Sequence, residues 1–242
     1  SGLDSGIEAF HREDYLGALQ DLYAPAEAGN AVAQYFVGVI LWNGFLFPPD
    51  QEEAFRWFMR SARQGDRDSE YGVGSTLVFG EGVAQDVEAG VKWLERAADH
   101  ESLAAQSLLA VLYYNDEYFP AENIQAYHWA GRAAERNDAT GLFVLAELYR
   151  YGRFVKKDSV KAMSLYRRSR DAGDEDADGT LAVMYMEGEA GAWMVPWGYA
   201  LIYYEAYRQA LADAFPLGEV FREMVLNVFR VVQAVLSPFS FE

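Results

Sequence analysis

The chain has 242 residues, of which 51% are hydrophobic, and its 37 acidic side chains outnumber 20 basic ones to give a formal charge of −17. This balance makes a nucleic-acid backbone or an anionic membrane surface a poor partner, because like charges repel. Cysteine is absent, which excludes a disulfide framework and a thiolate site. No stretch is apolar and long enough to span a bilayer, so no membrane insertion is predicted.

Residues 1–30 are predicted to form a short helix-pair repeat. Their last glycine, Gly29, precedes Gly65 by 36 residues, and this spacing returns throughout the chain. The first residue is Ser rather than Met, which is typical of the scar left when a tag is removed. We therefore expect the native protein to carry an additional N-terminal segment, such as a signal peptide.

Three series of residues recur at a fixed spacing of 36, which indicates a repeat array. The small residues of the first series are Gly38, Gly74, Ala110, Ala146 and Ala182. The second series is Trp57, Trp93, Trp129 and Leu165, and the third is Gly44, Gly80, Asp116, Gly152 and Gly188. Each unit is predicted to be a buried helix followed by an amphipathic one. The first series then marks close helix contacts, and the third marks left-handed helix ends, a conformation that Asp116 tolerates.

The unit from Ala31 to Asp66 contains AVAQYFVGVILWNG followed by DQEEAFRWFMRSARQGD. This pattern resembles the Sel1-like repeat, a relative of the tetratricopeptide repeat, and GEGVAQDVEAGVKWLERAA and YGRFVKKDSVKAMSLY are further matches. The resemblance implies an all-α fold, a right-handed α/α superhelical solenoid of about six helix-pair repeats. We expect four 36-residue repeats over residues 31–174 and a divergent fifth over residues 175–214.

Residues 215–242 are predicted to form a C-terminal capping helix and tail. The helix, Leu217 to Leu236, has a wide apolar surface with its polar residues confined to a narrow stripe. A terminal unit must cover the exposed face of the last repeat, so capping is the preferred role. The same apolar face could pair with a second copy of the chain, which leaves a homodimer as an alternative.

No catalytic, metal-binding or cofactor-binding site is predicted. The histidines His11, His100 and His128 lie in three different units without ligand-like spacing. The stretch from Asp174 to Gly179 matches the first six positions of a calcium-binding loop, but Tyr185 occupies the twelfth, where a bidentate glutamate is needed. Because the stretch lies where a helix begins, acidic capping is the preferred interpretation.

The resemblance implies that the first helix of each pair lines the concave side of the solenoid, with its second, fifth, ninth and twelfth positions exposed. A protein-binding groove is therefore predicted at Tyr35, Trp42, Tyr71, Tyr114, Phe143, Glu147 and Arg150. The aromatic residues would form an apolar floor, and the two charged residues would act as polar anchors. The alternative is that tight curvature buries these aromatic side chains as packing within the array.

The predicted function is that of a non-catalytic adaptor or assembly scaffold, which binds a peptide or helix of a partner protein in the groove. One alternative is a hydrolase or glycan-processing enzyme with paired carboxylates in the concavity, and another is a structural homo-oligomer formed through the C-terminal helix. The segment GIEAFHREDYLGAL resembles mature N-termini of exported bacterial proteins. That resemblance favours a periplasmic or secreted protein, with the cytoplasm as the alternative.

Overall fold

A computed structural model describes residues 2–116, 118–119 and 122–189 of the chain. Within these residues there are eleven helices and no strand, so the predicted all-helical solenoid is confirmed. The helices are α1 (Gly2–His11), α2 (Tyr15–Glu27), α3 (Ala31–Asn43), α4 (Gln51–Ala62), α5 (Arg67–Phe79), α6 (Val87–Asp99), α7 (Leu103–Tyr114), α8 (Asn123–Glu135), α9 (Ala139–Tyr151), α10 (Ser159–Asp171) and α11 (Asp176–Met186). The predicted C-terminal helix and the whole second half of the fifth repeat lie outside the described residues.

Helix starts are set by side-chain caps that recur with the repeat. At each of these caps a side-chain oxygen accepts a hydrogen bond from the backbone N–H three residues later. The first helices of the four central pairs are capped in this way by Asn30, Asp66, Ser102 and Asp138. The second helices are capped by Asp14, Asp50, Asp86 and Asp158, whereas Glu122, which precedes α8, makes no such bond.

The turns that end the helices use the left-handed backbone region. Gly44, Gly80, Gly152 and Gly188 have φ values of 65°, 72°, 68° and 72°, as the sequence predicts. The prediction for Asp116 is wrong, because α7 ends at Tyr114 and Asn115 is already extended, so no left-handed residue is required at Asp116. The second helices of successive pairs end at left-handed residues of their own, namely Gly29, Gly65, Glu101, Asn137 and Gly173.

The small residues of the first series lie where two helices of a pair approach closely. A Cβ atom added to Gly38 would lie 2.7 Å from the ring of Phe58, and one added to Gly74 would lie 2.7 Å from Leu94. Real Cβ contacts are longer than this, so a larger residue would force the helices apart. The predicted role is therefore confirmed at Gly38 and Gly74.

The tryptophan series carries a stacked arginine that the sequence prediction did not use. The guanidinium carbons of Arg60, Arg96 and Arg132 lie 4.5, 4.3 and 5.2 Å from the ring centres of Trp57, Trp93 and Trp129. Such stacking favours a cation over the face of an indole ring. Arg60 also pairs with Glu27 of α2, and Arg132 pairs with Glu101 before α7, so these arginines connect one helix pair to the preceding one.

Candidate protein-binding surface

The first helices present a continuous exposed face at their second, fifth and ninth positions, which we call the first-helix face. Every one of these residues is exposed or half-buried: Val32, Tyr35, Val39, Asp68, Tyr71, Ser75, Ala104, Ser107, Val111, Thr140, Phe143, Glu147, Asp176, Gly179 and Val183. The twelfth position differs, because Val78 and Arg150 are buried there. In α5 and α9 the exposed face therefore comprises three positions of the helix rather than four.

The predicted groove aromatics contribute to packing within the array while remaining partly open to solvent. The ring centres of Tyr35 and Trp42 lie 6.1 and 6.2 Å from that of Phe58 on the following helix. Phe143 makes the equivalent contact with Tyr166 at 5.3 Å. All three are half-buried. The packing interpretation thus applies in part, because each ring contacts a neighbour while the residue stays partly exposed, and the binding groove stays a prediction.

Tyr35 and Tyr71 occupy the fifth position in successive units. Neither hydroxyl forms a hydrogen bond within the described residues. Burial raises the pKa of Tyr35 above its ordinary value, and the nearby carboxylates of Asp68 and Asp66 raise it further. The surface around Tyr35 therefore combines an apolar ring with nearby carboxylates, and the Tyr35 hydroxyl can form a hydrogen bond with a partner.

Glu147 joins three helices. The Tyr114 hydroxyl donates a hydrogen bond to Glu147 Oε2 at 2.8 Å, and the Tyr166 hydroxyl donates to Oε1 of the same carboxylate. Burial, followed by these hydrogen bonds, raises the pKa of both tyrosines above their ordinary values. The sequence prediction placed Glu147 as a polar anchor for a partner, and the structure places it in a bridge between α7, α9 and α10.

Arg150 is 6% exposed and lies against the turn that follows α11. Its Nε donates to Glu189 Oε1 at 3.1 Å, and its Nη2 donates to Glu187 Oε2 at 3.0 Å. Burial alone would raise the pKa of Glu189, but hydrogen bonds from Ser159 and Arg150 outweigh it and lower that pKa. Arg150 thus joins the fourth and fifth repeats, and its role as a partner anchor stays a prediction.

Glu70 is a buried carboxylate whose two partners, His100 and Arg96, the sequence prediction missed. Its side chain is 0% exposed, and its Oε2 lies 2.7 Å from His100 Nδ1. Arg96 Nη2 lies 2.9 Å from Oε1, although off the direction of a hydrogen bond. The equivalent residues one unit earlier, Gln34 and Gln64, make a neutral hydrogen bond at 2.9 Å. The change from two glutamines to Glu and His at a spacing of 36 was a signal for this pair.

The calcium-like stretch serves the helix start. Asp174 accepts hydrogen bonds from the backbone N–H of Asp176 at 2.9 Å and from Ser169 Oγ at 2.6 Å. Asp178 lies 3.5 Å from the Arg170 guanidinium. Over the described part of the chain, no three His, Asp or Glu side chains come together as a metal site, and no helix has the length and apolarity needed to cross a bilayer.

Helix pairs of equal length, capped and closed at equivalent positions, define an α-solenoid built from repeats of the tetratricopeptide type. The family model described as Sel1 repeat matches residues 31–66, 67–102, 103–138 and 139–174. The chain therefore belongs to the Sel1 repeat family, as the sequence resemblance predicts. Sel1 repeat proteins generally mediate protein–protein interactions and are typically non-catalytic scaffolds.

Solved structures show the same fold. A protective antigen present in uropathogenic Escherichia coli strains, described as displaying an SLR fold, is 27% identical with a TM-score of 0.73. The match covers 77% of this chain but only 41% of that protein. A Sel1 repeat protein from Oxalobacter formigenes is 23% identical with a TM-score of 0.71, and the match covers 82% of each chain. Among functionally curated proteins there is no match.

Proposed function

We propose that this chain is a non-catalytic adaptor that holds a peptide or helix of a partner protein on its first-helix face. The observation that carries the proposal is the pair Tyr35 and Tyr71, which are half-buried, one unit apart and without hydroxyl partners in the described residues. Tyrosines of this kind provide apolar area and a hydrogen bond at low entropic cost, so they are enriched among residues that dominate binding energy.

The charge near these tyrosines limits the kind of partner segment that can bind there. Asp66 and Asp68 lie close enough to Tyr35 to raise its pKa, although Asp66 also caps α5 and Asp68 lies 3.6 Å from Arg67. Complementary charge favours specificity and fast association. We therefore infer that the bound segment is apolar and carries a lysine or arginine that lies beside Tyr35. The exposed valines of the face, Val32 and Val111, extend the apolar surface on either side.

Photo-crosslinking tests this proposal. Benzoylphenylalanine replaces Tyr71 in one variant and Tyr23, an exposed tyrosine of α2 outside the face, in a control. A partner crosslinked in host extract from position 71 and not from position 23 is then purified. The variant Tyr35→Ala/Tyr71→Ala should bind that partner at least about tenfold more weakly than the variant Tyr23→Ala, because hot-spot residues each contribute about 2 kcal/mol or more.

Equal affinities of these two variants would contradict the proposal, provided that circular dichroism shows both to be helical. Export to the periplasm and pairing through the C-terminal helix stay predictions. Fractionation of the host cell tests the first, and light scattering of the intact chain tests the second.

A further inference from the structure

The turn between α9 and α10 contains a residue in an unfavourable backbone conformation. Phe154 has a φ of 64°, in the left-handed region. Two units earlier the equivalent residue is Gly82, which has a φ of 74° and no Cβ atom to clash. A bulky side chain rarely adopts this region, because its Cβ crowds the backbone. Phenylalanine at this position therefore costs more conformational energy than the glycine that occupies the equivalent position, Gly82.

Burial does not compensate for this cost. The side chain of Phe154 is 55% exposed. One ring contact is made with Tyr127 of α8 at 5.4 Å, and Tyr127 in turn lies 6.4 Å from Tyr149 of α9. The neighbouring Tyr151 is also exposed. An aromatic surface is thus open to solvent at this turn.

The same turn is basic, although the whole chain is strongly acidic. Residues 152–161 contain Arg153, Lys156, Lys157 and Lys161 but only one acidic residue, Asp158. The Asp158 carboxylate is occupied in capping α10. Arg153 and Lys157 form ion pairs with Asp116 and Glu189, whereas Lys156 and Lys161 form none with any described residue. Lys161 Nζ lies 2.7 Å from the Tyr149 hydroxyl, so one ammonium group borders the aromatic surface directly. We call this set of residues the basic aromatic turn.

We propose that the basic aromatic turn binds an acidic peptide segment of a partner protein. An apolar side chain of that segment packs on Phe154 and Tyr127, and its carboxylates lie near Lys156 and Lys161. Charge complementarity supports this occupant, because exposed ammonium groups without carboxylate partners attract acidic side chains over a Debye length of about 8–10 Å. A nucleic acid is disfavoured, since a chain of formal charge −17 repels an extended polyanion.

This surface is distinct from the first-helix face in both place and charge. The first-helix face is acidic around Tyr35, whereas the turn is basic. The two surfaces therefore select partner segments of opposite charge. One adaptor could then hold two different segments at the same time, which is how a scaffold gains affinity from linked contacts.

Selection from a phage-displayed library of random dodecapeptides tests the proposal with the full chain as target. The expected result is a set of peptides that combine Asp or Glu with aromatic or leucine residues. The affinity of a labelled selected peptide is then measured by fluorescence anisotropy. Phe154→Gly and Lys156→Glu/Lys161→Glu should each weaken binding at least tenfold, and added salt should weaken it for the unmodified chain.

Matched controls keep the experiment interpretable. Phe47→Ser removes an exposed phenylalanine from another turn, and Lys92→Glu reverses an exposed charge on α6, so neither should change the affinity. Phe154→Gly introduces the residue already present at Gly82, so its melting temperature should not fall. Selected peptides without acidic enrichment, or unchanged affinity with Phe154→Gly, would overturn the proposal. So would loss of binding only with Tyr35→Ala/Tyr71→Ala, or a labelled oligothymidine that binds the turn more tightly than the peptide.

Discussion

Gly74 and Gly90 face each other across α5 and α6 so closely that a Cβ atom on Gly90 would lie 2.7 Å from the carbonyl oxygen of Gly74. The reverse contact, from a Cβ on Gly74 to the carbonyl oxygen of Gly90, would be 3.0 Å. At this crossing the obstacle is backbone, which cannot rotate away as a side chain can. The two glycines are therefore needed for the spacing of this helix pair rather than for a turn.

We expect Gly90→Ala to destabilise the chain by about 1–3 kcal/mol, the usual cost of overpacking a close contact. Gly131→Ala is the matched control, because Gly131 also lies within a helix but has nothing within 4 Å of its added Cβ. That control should stabilise the chain by about 0.5–1 kcal/mol through helix propensity alone. Urea denaturation measures the change in the free energy of unfolding for both variants. A change of the same sign in the two variants would rule out the close-contact explanation.

The buried carboxylate of Glu70 provides a second prediction. Arg96→Gln leaves the fully buried Glu70 carboxylate with His100 as its remaining partner, and should cost about 1–3 kcal/mol. Adding Glu70→Gln to that variant should restore most of the loss, because the buried charge is then gone and a glutamine already serves at the equivalent Gln34. A double-mutant cycle measures this coupling. Additive losses would show that the pair is not coupled.

Acid should weaken the junction between α9 and the turn after α11. A free glutamate has a pKa near 4.5, and hydrogen bonds from Ser159 and Arg150 hold the pKa of Glu189 below this value. The ionised form is therefore stabilised by folding, and its contribution is present above pH 4.5 and lost as the pH falls through the lowered pKa. The free energy of unfolding of the unmodified chain should fall more steeply from pH 6 to pH 3 than that of Glu189→Gln. Parallel curves would contradict this prediction.

Glu101 holds a left-handed backbone, with a φ of 64°, at a position where three other units use glycine. Glu101→Gly should stabilise the chain by about 1 kcal/mol, because the strain of about 1–2 kcal/mol exceeds the small value of its exposed pair with Arg132. Glu101→Ala loses the pair but keeps the strain, so it should slightly lower stability. Thermal unfolding distinguishes the Gly variant from the Ala variant. A fall in melting temperature with Glu101→Gly would show that the backbone of Glu101 is not strained.

The helix pairs could be predicted from the sequence because their signals are local and repeated. Gly38 and Gly74 marked the close contacts, and the acidic stretch at Asp174 was assigned to a helix start. The connection through Glu147 could not be predicted, since it depends on which side chains of three separate helices meet. The same applies to Arg150, whose partners lie 37 and 39 residues away in the next repeat. A period of 36 fixes equivalent positions, but it does not say which pairs of them touch.

The capping residues described above act over three positions of the chain, whereas the close packing of Gly74 needs a second helix. A single repeat cut from this chain would thus keep most of the side chains that fix where its helices begin, yet helices of 12 or 13 residues are marginal in water on their own. Whether such a repeat folds depends on how many repeats are joined, because each new neighbour buries another face. The helix boundaries are therefore largely determined within each unit, whereas the stability of the helices belongs to the array.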